Sequence, residues 1–198
     1  MWLRWLSVPM LLGSGVVLGL TLAATPGETS PEVRFARDMS AHHTQAVDMS
    51  VTLFRRASDP KVRLLAQDML LTQQAQIGQM GGWLMAWGRT PGGREAPMAG
   101  MNRADMGLTS SAEVGTLGSL PAGLAETRYL ALMRRHHLGG VAMAKAALNT
   151  VKRPEVRAFA ERVITAQTSE ITAIDAMLRV RMAPNAPARP EMGDMLHD

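Results

Sequence analysis

One short pattern occurs twice in the chain and limits what it can fold into more than any other feature. Met39-Ser40-Ala41-His42-His43 and Met133-Arg134-Arg135-His136-His137 lie 94 residues apart. Without a gap, the same offset pairs Val47 with Val141, Met49 with Met143, Pro60 with Pro154, and Arg63 with Arg157. It also pairs Ala66 with Ala160, Gln73 with Gln167, Ile77 with Ile171, and Leu84 with Leu178. An internal repeat makes each half a structural unit that cannot bury its apolar face alone, so the halves are expected to complete one core together.

Each half reads as two helices. Aromatic residues are only 4% of the chain, while Ala, Leu and Met are plentiful. That composition favours helix over strand. Ser30-Pro31 supplies an N-cap followed by proline at the first helical position, and predicts a helix over 31–57. Asp59-Pro60 repeats the signal for a helix over 60–87, in which Leu64, Met69, Ile77, Met80 and Leu84 recur at helical spacing. The second half predicts helices over 121–151 and 154–182. The links within each half are two or three residues long, so each helix pair must be antiparallel. The fold class is all-α, built from two repeated helical hairpins. The domain spans 31–182, with halves 31–88 and 121–182 and a Gly-, Pro- and Met-rich connector over 89–120. Within the connector, Ser110-Ser111-Ala112-Glu113 has capping-box spacing and predicts a short helix. The proline-rich stretch 183–198 is expected to be a disordered tail.

Residues 1–24 carry one early charge, Arg4, and then an uncharged run over 5–24 that ends in Leu22-Ala23-Ala24. This is the layout of a secretory signal. A run of about 20 apolar residues also suffices to cross a bilayer, so a cleaved signal and a retained anchor both stay open. Either places the remainder outside the cytoplasm. Cysteine is absent, which excludes disulfides, thiolate metal sites and cysteine-linked lipid. The net charge of +4 comes from basic residues scattered among acidic ones, a solvated surface rather than a nucleic-acid patch.

Four of the five histidines fall in the two motifs, and the chain has 16 methionines. On a helix, Met39 lies beside His42 and His43, and Met49 is close beyond them; Met133, His136, His137 and Met143 are their counterparts. Two imidazoles and two thioethers per half form a soft donor set that suits copper, with Cu(I) preferred. Zinc prefers thiolate, imidazole and carboxylate. A di-iron bundle needs Glu-x-x-His pairs, and the chain has none. A second reading stays open beside the first: methionine fills gaps in cores, and a paired histidine can point one ring inward and one into solvent. Geometry separates the two, since a metal site requires the rings and sulfurs to converge. Gln73 and Gln76, matched by Gln167 and Glu170, could orient the imidazoles or form a polar flank. Met98, Met101 and Met106 are weaker candidate ligands in the connector. Ligation needs a neutral imidazole, so affinity is expected to fall below about pH 6.

The segments Asp38–Met49 and Met133–Ala144, with the stretches 73–84 and 154–171 and the methionines of the connector, resemble the DUF305 family over about residues 31–182. The resemblance implies a ferritin-like four-helix bundle, export and, for some members, periplasmic copper binding. Leu132 stands where the first half has Asp38, and Ala142 where it has Asp48, so the two halves need not bind alike. The resulting expectation is a non-enzymatic extracytoplasmic protein that buffers Cu(I) or Ag(I), or hands it to a protein partner. It has no nucleic-acid role, and residues 5–24 offer a membrane anchor. The alternative is a structural or protein-interaction helical module of the cell envelope. Oligomeric state is left open.

Overall fold

The computed structural model describes residues 25–183. The expected signal or anchor at 1–24 and nearly all of the expected tail lie outside the described residues. Five helices form the described chain, with no strand among these residues: α1 Pro31–Phe54, α2 Pro60–Ala86, α3 Ser111–Thr116, α4 Ala122–Leu148 and α5 Pro154–Met182. No described helix is long and apolar enough to cross a membrane.

The starts follow from local chemistry. The Ser30 hydroxyl accepts the Val33 N–H at 3.3 Å, and Asp59 Oδ1 accepts the Lys61 N–H at 2.9 Å. Each satisfies an N–H that the helix itself leaves without a partner. At α3 both halves of the capping box form, from Ser110 and Glu113. Two helix ends fall short of the expected positions, α1 at Phe54 and α4 at Leu148. In α1 the final carbonyl of Leu53 takes both the Arg56 and Ala57 N–H groups, which tightens and ends the last turn. The following carbonyl, of Ala57, is capped by the guanidinium of Arg63. Arg157 does the same to Leu148 and Val151. That shared duty explains why arginine stands at both positions.

The helices pair as α1 with α2 and α4 with α5, and α1 packs on α4 across the middle. One apolar core joins the start of α1 to the end of α4 through Phe35, Met39, Met143 and Phe159; α1 and α4 therefore run antiparallel. A second core at the opposite end gathers Met49, Leu53, Tyr129, Met133 and Ile174. Residues 94 apart hold equivalent places in opposite cores, as Val62 and Val156 do. Two buried carboxylates fasten the ends in the same symmetric way. Glu126 of α4 accepts the Ser58 and Asp59 N–H groups, both at 2.7 Å, at the α1–α2 turn. Glu32 of α1 accepts the Lys152 N–H at 2.8 Å at the α4–α5 turn.

Candidate metal centre

Between the two apolar cores lies a polar layer. His42 and His43 of α1 and His136 and His137 of α4 are fully buried there. The His42 and His136 rings stack with centroids 3.8 Å apart. His43 and His137 lie on either side of that stack, 6.1 Å from His42 and 6.0 Å from His136 respectively. The two motifs, expected to serve one half each, thus meet in one contiguous layer. The thioethers regroup as well: Met39 shares its core with Met143, and Met49 shares the other with Met133. Each core therefore holds a motif methionine from each half.

The hydrogen bonds fix the tautomers. A carbonyl or carboxylate oxygen only accepts, so its imidazole partner must donate. His42 Nε2–H donates to the Met106 carbonyl at 2.9 Å, and His136 Nε2–H to the His42 carbonyl at 2.8 Å. His43 Nε2–H donates to Gln76 Oε1 at 2.7 Å, and His137 Nε2–H to Glu170 Oε2 at 2.8 Å. In the neutral form of each ring this leaves Nδ1 as a bare lone pair. Among the described residues, none of these four Nδ1 atoms has a hydrogen-bond partner. The carboxamides of Gln73 and Gln167 are likewise buried and unpartnered. So Gln76 and Glu170 orient imidazoles, whereas Gln73 and Gln167 do not hydrogen-bond them.

Burial makes three of the rings reject protons. It pushes His42 down to about 4, with only a partial opposing effect from its bond to Met106. Burial and then the neighbouring His42 push His43 down to about 3, and burial pushes His136 well below the ordinary range. Ligation needs neutral imidazole, and burial favours the neutral form of these three rings well below their ordinary range.

Sequence reasoning missed the part played by the connector. Its backbone is strapped to one face of α1 by residues at positions i, i+4 and i+7. Asp38 Oδ1 accepts the Met98 N–H at 2.6 Å, His42 reaches the Met106 carbonyl, and Gln45 makes two bonds to the Thr109 backbone, each 2.9 Å. Burial raises the Asp38 carboxyl above its usual range, and the Met98 bond and nearby Arg34 and Arg37 oppose this. The connector can come this close because α4 has no side chain in the way. A Cβ on Gly139 would lie 1.9 Å from the Met106 carbonyl oxygen. Gly107, at φ +68, would likewise collide with the Arg135 carbonyl, at 2.0 Å. Gly140 makes room for the Gln167 carboxamide instead. The Gly139-Gly140 pair was the available signal; it marks a close approach, by the connector at Gly139 and by the Gln167 side chain at Gly140. Asp38 has no acidic counterpart: Leu132, at the matching position, is buried in the second apolar core.

Among the described residues no three His, Asp or Glu side chains are gathered as a ready ion site. A metal held here would need thioethers beside imidazoles. The class of molecule is thus a double helical hairpin with a buried, proton-poor histidine layer between methionine-bearing cores. The chain belongs to the family described as a domain of unknown function, DUF305, which matches residues 32–178. Solved structures of the family agree. The DUF305 protein of Streptomyces coelicolor is 39% identical, with a TM-score of 0.72, over 77% of this chain and 94% of that one. A DUF305 fragment from Deinococcus radiodurans is 38% identical, with a TM-score of 0.69, over 77% of this chain and 98% of that one. CopM in its Cu(I)-bound form is 22% identical, with a TM-score of 0.60, over 75% of this chain and 95% of that one; the likeness is one of fold. An uncharacterized protein of Acanthamoeba polyphaga mimivirus matches at 34% identity over 47 residues, and the chain spans only 31% of that protein.

Proposed function

We propose that this protein is a non-enzymatic, extracytoplasmic carrier or buffer of Cu(I), accepting Ag(I) as well, and that the histidine layer is its binding centre. The ligands are drawn from His42, His43, His136 and His137 through Nδ1, and from Met39, Met49, Met133 and Met143 through sulfur. One observation carries the reading: four buried imidazoles have their Nε2–H groups committed to oxygen acceptors and their Nδ1 atoms bare. Metal-ligating histidines are oriented in this way, with the far N–H given to a carbonyl or carboxylate. An unpartnered buried polar nitrogen otherwise costs stability, roughly 1–3 kcal/mol each. Four bare nitrogens in one layer are therefore hard to explain by packing alone. The donor chemistry selects the metal, because thioether with imidazole and no thiolate favours a soft monovalent ion. The fold relative CopM has been solved with Cu(I), with Cu(II) and with silver, which is consistent with this choice. Export rests on residues 1–24, and the Streptomyces coelicolor relative was solved as a candidate secreted protein.

Titration with Cu(I) against a competing chelator tests the proposal. At least one tight site is expected. It should be lost when the four motif histidines become Ala, and weakened when the four motif methionines become Leu. Circular dichroism establishes that each variant is folded. If the folded four-histidine variant binds as tightly as the parent, the assignment is wrong.

A further inference from the structure

Thioethers also gather at a second place, outside the histidine layer. A cleft of about 410 Å³ opens on the connector side of the bundle, between the first half of α1 and the last half of α4. Phe35 and Asp38 line it from α1, Met101 and Met106 from the connector, and Met143 and Ala147 from α4. We propose that this cleft is an outer docking site for a soft monovalent cation, formed by the sulfurs of Met101 and Met106 and sharing Met143 with the histidine centre, through which Cu(I) or Ag(I) reaches the histidine layer. The inference rests on the function proposed above and adds to it a site and a direction of loading.

Three features point this way. The lining methionines form a series in depth, since Met101 is 37% exposed, Met106 is half-buried and Met143 is only 6% exposed. A thioether ladder running from solvent into a core suits stepwise transfer, because neutral sulfur binds a soft ion without tying it down as a thiolate would. The inner rungs also adjoin the histidine layer. The Met106 carbonyl accepts the His42 N–H, and Met143 shares its core with Met39. A cation held between Met106 and Met143 would be next to residues already assigned to the centre. Finally, the charged lining residues are Asp38 and Arg34. The Asp38 carboxylate lies on the inner side, held by the Met98 N–H, and Arg34 is exposed. The equivalent position in the opposite half carries no carboxylate, because Leu132 replaces Asp38.

The test is kinetic and uses bicinchoninate-buffered Cu(I), with Ag(I) as a second ion. In the Met101→Leu/Met106→Leu variant, both replacements are apolar and of similar size, and neither residue belongs to the histidine layer. Transfer from chelator to protein should slow by about tenfold while the final occupancy of the histidine layer stays that of the parent. The folded four-histidine variant should keep one weaker Ag(I) site by native mass spectrometry, and that site should vanish when the two Leu changes are added. Parent-like transfer rates in the double variant, or a residual Ag(I) site indifferent to Met101 and Met106, would overturn the cleft while leaving the histidine layer standing. A parent protein that binds neither ion overturns both.

Discussion

At the scale of single residues, the two outer imidazoles differ in one respect. His43 is held by the Gln76 carboxamide and His137 by the Glu170 carboxylate, at equivalent positions and nearly equal distances. A carboxylate partner raises the basicity of a ligating imidazole and adds a negative charge near the ion. Glu170→Gln is expected to weaken Cu(I) binding by about tenfold, and Gln76→Glu to strengthen it. Chelator competition reads both; equal affinities across the set would contradict the role given to Glu170. The same layer governs behaviour in acid. Unfolded, these histidines take up a proton near 6.5, whereas in the fold His42 does so at about 4 and His43 at about 3. Between those values the unfolded chain binds more protons, so stability falls as pH drops below about 6.5. The slope is at most about 1.4 kcal/mol per pH unit for each such histidine. Urea unfolding of the metal-free protein at pH 7 and pH 5 should show this loss. A flat profile would mean that the rings are not held neutral.

At the scale of elements, helix positions were legible and the loop's work was not. Pro31, Pro60 and Pro154, with caps at Ser30 and Asp59, announced three starts in the sequence because caps act within a few residues. The helix ends were less legible, since the carbonyls of the turns that follow them are held by Arg63 and Arg157 from the next helix. The meeting of the two motifs was not legible either. It depends on α1 and α4 running antiparallel across the middle, and no local signal encodes that. The connector's path could be suspected only from Gly139. Gly139→Ala would drive a Cβ into the Met106 carbonyl, which belongs to the backbone and cannot swing aside. The expected cost is roughly 1–3 kcal/mol, together with loss of the His42–Met106 bond. Gly140→Ala meets only the tip of the Gln167 side chain and should cost less. Thermal melts of the two variants would show the difference, and an unperturbed Gly139→Ala protein would argue against the strap.

At the scale of the molecule, the fold places a costly polar layer between two ordinary apolar cores. Glu32 and Glu126 brace the hairpin turns far from that layer, so the scaffold's integrity and the site's chemistry are carried by different residues. A ligand that binds only the folded protein stabilises it by mass action, by about 4 kcal/mol at a thousandfold excess over the dissociation constant. Metal should therefore raise the unfolding temperature as well as fill the site. The most direct test of the central claim is the state of the imidazole nitrogens themselves. Long-range ¹H–¹⁵N correlation spectra of the histidine rings report which nitrogen is protonated. Nε2–H tautomers are expected for His42, His43, His136 and His137 in the metal-free protein at neutral pH, and shifts of their Nδ1 resonances on addition of Ag(I). Nδ1–H tautomers, or Nδ1 resonances that stay put while silver binds, would contradict that claim.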